Sequence, residues 1–199
     1  QVIDRFRESG VKQVVCVSYD IQSIQYVVKL AEKYDFIFAS AGVHPHDAKN
    51  VPENYIEELS RWGNHPRVVA MGEMGLDFYR DLSPREVQKK VFTEQLRLAK
   101  RLNKPVIIHD RDAHEAVLNI LRREGLGAAG GVMHCFSGSK EMARECVELG
   151  LYISLAGPVT YKNARKLKEV AESVPISRLL LETDCPYLTP EPLRGKRNE

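Results

Sequence analysis

Pro105-Val106-Ile107-Ile108-His109 (PVIIH) is a short apolar run, rich in β-branched side chains and closed by one imidazole. Such a run reads as a strand covered on both faces, and its closing residue sits where a parallel sheet presents its chemistry. The pattern recurs along the chain. Ile37–Val43 (IFASAGV) leads into His44, and Val68–Glu73 (VVAMGE) closes on Glu73. Val132–Cys135 (VMHC) contains His134, and Leu179–Thr183 (LLLET) runs into Asp184. Two further runs, Val11–Ser18 (VKQVVCVS) and Leu151–Leu155 (LYISL), end on no such residue.

Amphipathic stretches separate the runs. Ser83-Pro84-Arg85-Glu86 has the form of a capping box with proline at the first helical position. It opens a helix whose broad face carries Val87, Val91, Phe92, Leu96, Ala99 and Leu102. Glu141–Leu149 is a second helix, stopped by Gly150 as its C′ residue, and Gln1–Glu8 with Gly10 reads as the end of an earlier one. Strand–helix alternation over this length means βα units and a parallel sheet.

An open doubly wound sheet gathers its ligands at one switch point. Here chemically active residues close five different strands, and they converge only if the strand ends form a ring. From His44 to Asp184 the strands recur every 28 residues on average, against about 31 in a typical barrel. The expected fold is therefore α/β, a TIM (β/α)8 barrel with seven of its eight strands visible, over residues 1–199 as a single domain. A barrel usually needs about 250 residues, so the chain is expected to be incomplete at both ends.

Lys plus Arg (29) nearly balance Asp plus Glu (27), so any polyanion site must be local. No apolar run reaches the ~18 residues of a membrane span. Cys16, Cys135, Cys146 and Cys185 share no CxxC spacing and sit in or beside apolar runs, the usage of buried thiols in a reducing compartment. Cytoplasmic location is expected. Strand alternation would turn Cys135 and Cys185 away from the face that His134 and Asp184 share.

Glu73, His109, His134 and Asp184 are the candidate metal ligands. Imidazole and carboxylate suit Zn, Mn or Fe, and a carboxylate can bridge the paired ions of two-metal hydrolysis. Any one of them alone would read as a hydrogen-bonded strand-end residue; four in one layer read as a site. His44 is the better placed histidine of His44-Pro45-His46 to face substrate, against the alternative of a simple turn. Arg111 and Arg194, the latter in a basic tail segment, are candidates to hold phosphate, with solvated surface charge as the alternative. His65, before a strand, reads as structural.

Six segments in register resemble the TatD family of metal-dependent deoxyribonucleases: Gly42–Asp47 (GVHPHD), Gly72–Asp81 (GEMGLDFYRD), Lys104–His114 (KPVIIHDRDAH), Gly131–Ser139 (GVMHCFSGS), Leu151–Asn163 (LYISLAGPVTYKN) and Leu179–Glu199 (LLLETDCPYLTPEPLRGKRNE). The resemblance implies hydrolysis of phosphodiester bonds in DNA, at single-stranded ends and with several members acting 3′→5′, by water activated at one or two divalent ions (Zn, Mn or Mg). Carried over by motif, Glu73 would bridge two metals, His109 and His134 would complete one site, and Asp184 would belong to the other and orient or deprotonate water. His44 would lie near the scissile phosphate. The family's opening strand ends in a His-x-His pair, and no such pair precedes Val11. The first strand, with those two ligands, and the helix after the last strand are expected to lie outside the sequence given.

Two alternatives differ in class. Another hydrolase of this barrel type would act on small phosphoesters, amides or lactones; such enzymes often bridge their metals with a carboxylated Lys, where this chain has Glu73. A catalytically impaired binding module would follow if the His-x-His pair were truly absent, and metal content would reveal it.

Overall fold

The computed structural model describes residues 2–199. Gln1, read above as part of a helix, lies outside the described residues; the helix itself is α1 (Val2–Glu8). The fold is α/β and of the (β/α)-barrel type expected, with seven strands among the described residues. The chain divides into two compact units, residues 12–132 and residues 2–11 with 133–199.

The larger unit holds β1 (Val14–Cys16), α2 (Ile21–Lys33), β2 (Ile37–Ala41), α3 (Tyr55–Gly63), β3 (Val68–Asp77), α4 (Arg85–Leu102), β4 (Val106–Arg111) and α5 (His114–Glu124). Its strands pair in parallel in chain order, with Val14 opposite Ile37, Ala39 opposite Val68 and Met71 opposite Val106. The apolar runs form these strands because both faces are covered: Ile37, Val68, Met71, Met74, Leu76 and Ile108 are at most 2% exposed. α2 starts where Asp20 and Ser23 cap each other's backbone and buries Ile24, Val28 and Ala31 on one face.

Two details differ from expectation. The run ending at Glu73 continues as strand to Asp77, and register slips between Met71 and Met74. Met71 faces Val106 and Met74 faces Ile108, so Gly72 and Glu73 form a bulge, which re-aims the bulged side chain. The capping box at Ser83 does not form: Pro84 is the N-cap and contributes no side-chain bond. The Ser83 hydroxyl instead donates to the His46 carbonyl at 2.8 Å and accepts from the Lys49 amide at 3.1 Å, groups of the 3-10 turn Pro45–Asn50.

β5 (Gly131–Met133) lies where the chain passes between units. The smaller unit holds α1, α6 (Lys140–Glu148), β6 (Leu151–Leu155), α7 (Arg165–Ser173) and β7 (Leu179–Leu181). β6 and β7 pair in parallel, Ile153 opposite Leu179. α6 is capped by Ser139 and ends through Leu149 into Gly150, whose φ of +98° fits the expected C′ position.

No disulfide is formed among the described residues. Cys146 is buried as expected, Cys16 and Cys135 are half-buried, and Cys185 is exposed, a correction to the reading of four buried thiols. The alternation argument fails because β5 ends at Met133 and β7 at Leu181, so Cys135 and Cys185 lie beyond regular strand. In a thiol titration with an aromatic disulfide, Cys185 is expected to react first, and Cys146 only on unfolding. Peptide mapping of partly labelled protein checks the order. No described helix is long and apolar enough to cross a membrane.

Candidate metal centre

In the larger unit, the segment after β2 carries His44. Its amide donates to the Tyr19 carbonyl at 2.8 Å. The preceding residue, Val43, is gripped by Gln95 of α4, which is fully buried: Oε1 accepts from the Val43 amide at 2.8 Å and Nε2 donates to its carbonyl at 3.0 Å. Two turns earlier on the same side of α4, Gln88 grips Asp77 in the same way, accepting from its amide at 2.9 Å and donating to its carbonyl at 3.2 Å. Gln95→Leu leaves both Val43 groups buried and unbonded, so it is expected to cost about 2–4 kcal/mol. Urea unfolding, read as a lowered midpoint at unchanged slope, measures it.

The Gly72–Glu73 bulge brings the Glu73 carboxylate beside two imidazoles. Its Oε1 lies 2.8 Å from His109 Nδ1 and 3.7 Å from His44 Nε2. The other nitrogen of His109, Nε2, is 3.2 Å from Asp77 Oδ2, which also meets His46 Nε2 at 2.8 Å. Asp77 is fully buried, and its Oδ1 accepts from the amides of Tyr79 (3.0 Å) and Arg80 (2.7 Å). Both oxygens are thus held, and with them the plane of the His109 ring.

Electrostatics sorts the three histidines. Burial opposes the charged form of His109, but hydrogen bonds to Asp77 and Glu73 and their negative charge outweigh it and push its pKa up to about 9. Burial opposes ionisation of Asp77 too, yet hydrogen bonds from His109, the Arg80 amide and His46 hold its carboxyl well below the usual range. His44 goes the other way: burial dominates and lowers it to about 3, the pull of Glu73 being too weak to compensate. Its Nδ1 accepts from the His46 amide at 3.2 Å, so the neutral ring carries its proton on Nε2, the nitrogen facing Glu73.

His44, Glu73 and His109 each offer one donor atom, all within 4.8 Å of one another. Two imidazoles and a carboxylate are a donor set that fits a divalent ion. The proton shared by His109 Nδ1 and Glu73 sits between two of those donors, and binding of an ion releases such protons. His44 joins as a ligand only by moving its proton and giving up the His46 amide; as bonded, it is a hydrogen-bond donor aimed at the same space.

In the smaller unit, His134 follows β5. Its Nδ1 is hydrogen-bonded to Glu182, and its Nε2 lies 3.7 Å from Asp184 Oδ1. Glu182 also accepts from the Cys135 amide at 2.6 Å. Burial raises the Glu182 pKa, but bonding to His134 outweighs it and the carboxyl stays below its ordinary value. The four expected ligands thus occur as two pairs, Glu73 with His109 and His134 with Asp184, each within its own unit.

Arg111 ends β4, exposed, its guanidinium carbon 4.0 Å from the centre of the Tyr79 ring. Arg194 is likewise held over Tyr161 at 4.1 Å. His65 lies apart, 3.3 Å from Glu32, and His114 pairs with Asp110 at 2.7 Å at the start of α5. Sequence reasoning missed Asp77, Glu182 and the bonding of His46. No strand pattern pointed to these carboxylates: Asp77 follows the bulge in β3, and Glu182 lies beyond the end of β7.

The family model described as "TatD related DNase" matches residues 1–199. The chain is 51% identical to the metal-dependent hydrolase YabD of Bacillus subtilis (strain 168) over 199 residues, covering all of this chain and 78% of that protein. It is 38% identical to the 3′-5′ ssDNA/RNA exonuclease TatD of Klebsiella pneumoniae (strain 342), again with 78% of that protein covered. The crystal structure of YJJV, a TatD homologue from Escherichia coli K12, superposes with a TM-score of 0.93 at 35% identity, covering 98% of this chain and 76% of that one.

Proposed function

The chain belongs to the TatD-related DNase family and has the fold and donor cluster of a metal-dependent hydrolase, and from that premise we propose that it hydrolyses phosphodiester bonds of DNA at single-stranded ends. The observation that carries this reading is the His44–Glu73–His109 cluster with buried Asp77 behind it. Glu73 and His109 would hold a divalent ion in the larger unit, and His134 and Asp184 are proposed as further metal ligands. A bound ion there supplies Lewis-acid stabilisation of the phosphoryl group and lowers the pKa of water.

The chain's own residues do the rest. Asp77 fixes the His109 ring, leaving Nδ1 toward Glu73. His44, neutral, donates its Nε2 proton as a hydrogen bond to a non-bridging phosphate oxygen, stabilising charge that grows there. Asp184 orients the attacking water and accepts its proton; water adds to phosphorus in line as the P–O3′ bond breaks, and the leaving 3′ oxygen takes a proton from solvent. Arg111 holds a neighbouring phosphate. No covalent enzyme intermediate is required.

The test uses the intact protein and 5′-labelled single-stranded oligonucleotide, with and without EDTA. Stepwise shortening that EDTA abolishes is the expected result. Undiminished cleavage in EDTA, or turnover of amide, lactone or phosphotriester substrates but not of the oligonucleotide, overturns the reading.

A further inference from the structure

The smaller unit contains a cleft of about 560 Å³ whose walls include Pro158, Tyr161, Lys162, Leu167, Glu191 and Arg194. Its two sides are tied together. The Tyr161 hydroxyl donates to the Thr189 carbonyl at 3.1 Å, and Thr160 Oγ1 accepts from the Glu191 amide at 2.8 Å. At Gly157 a Cβ would stand 1.9 Å from the Leu188 carbonyl, so the two backbones pack with no room between them. The cleft is therefore formed in advance of any ligand.

Arg194 is held over Tyr161, its guanidinium carbon 4.1 Å from the ring centre. The residue is nonetheless exposed, so the guanidinium remains open to a ligand. Lys162 is also exposed, and among the described residues neither cation has a carboxylate partner. A planar cation backed by an aromatic ring, an ammonium beside it and an apolar wall from Pro158 and Leu167 match the parts of one nucleotide. Planar guanidinium and aromatic groups stack bases, and the ammonium takes a phosphate. The Glu191 carboxylate repels phosphate from its own side of the cleft.

We propose that this cleft is a subsite for one nucleotide of a single strand, its base stacked on the Arg194 guanidinium and its phosphate held by Lys162. The inference rests on the DNA-hydrolase reading above and adds a reason for single-strand preference: a base in a duplex is already stacked and paired on both sides.

Fluorescence anisotropy of the intact protein in EDTA, with a fluorescein-labelled dodecamer of deoxythymidine, tests it without cleavage. Arg194→Lys keeps the charge and loses the plane; it is expected to weaken binding about tenfold. Lys162→Ala is expected to weaken binding and reduce the salt slope by about 0.7. A dodecamer lacking bases should bind the wild-type protein no better than the thymidine dodecamer binds Arg194→Lys. Equal affinity of wild type and Arg194→Lys for the thymidine dodecamer overturns the subsite, as does equal affinity of wild type for the dodecamers with and without bases. Hydrolysis of bis(4-nitrophenyl) phosphate by the wild-type protein, reconstituted with Mn²⁺, reads the hydrolase independently. Turnover there with Arg194-independent binding removes only the subsite. Arg194-dependent binding without turnover of that diester or of DNA leaves the subsite and removes the DNA-hydrolase reading.

Discussion

Glu73→Ala is expected to lower kcat/KM for single-stranded oligonucleotide by about a thousandfold or more. Glu73 supplies the only carboxylate of the cluster, 2.8 Å from one imidazole and 3.7 Å from another. Alanine removes the negative donor and leaves His109 Nδ1 without its partner. A bound ion contributes several kcal/mol of transition-state charge stabilisation, and each 1.36 kcal/mol is tenfold in rate. Stability should change much less, since Asp77 still engages the far side of the His109 ring. Elemental analysis of the reconstituted variant, run beside the kinetics, should show metal falling with activity. Retention of both metal and turnover sinks the assignment of Glu73.

Gly75→Ala is the second large effect, and it acts on the fold. Gly75 sits in β3 at φ +146°, paired with His109 across the ladder. A Cβ there would lie 2.0 Å from the His109 carbonyl oxygen and 2.9 Å from its carbon. Those are backbone atoms, so no rotamer relieves the overlap; either strand must move, and His109 moves with it. A cost above about 4 kcal/mol is expected, a large share of the 5–15 kcal/mol that holds a domain together. Gly127→Ala is the control, because its added carbon would meet Lys100 Cα at an ordinary 3.4 Å. Urea unfolding monitored by circular dichroism should show the first variant unfolded or strongly shifted and the second near wild type. A Gly75→Ala midpoint within error of wild type rules the argument out.

The fold was legible because burial on both faces writes continuous apolar runs, and β6 matches its run residue for residue. The site was legible only at strand-terminal residues. His44, Glu73 and His109 were found that way and come together. Asp77 was not, because the run appeared to stop at Glu73: a bulge is a property of two strands in register and leaves no mark in one of them. Ser83 misled for a related reason, since its hydroxyl had the local chemistry of a cap but a turn from elsewhere in the chain competed for it. Cys185 was assigned to a buried face by extending alternation past the point where β7 ends.

Gln88 and Gln95 sit seven residues apart on α4, two turns on one side of the helix. One holds the backbone at Asp77 and the other the backbone just ahead of His44. The strand end that carries the buried acid and the loop that carries the neutral imidazole are therefore pinned to a single helix. Displacing either one means breaking its glutamine bonds or moving α4, so the helix behind them couples the two segments.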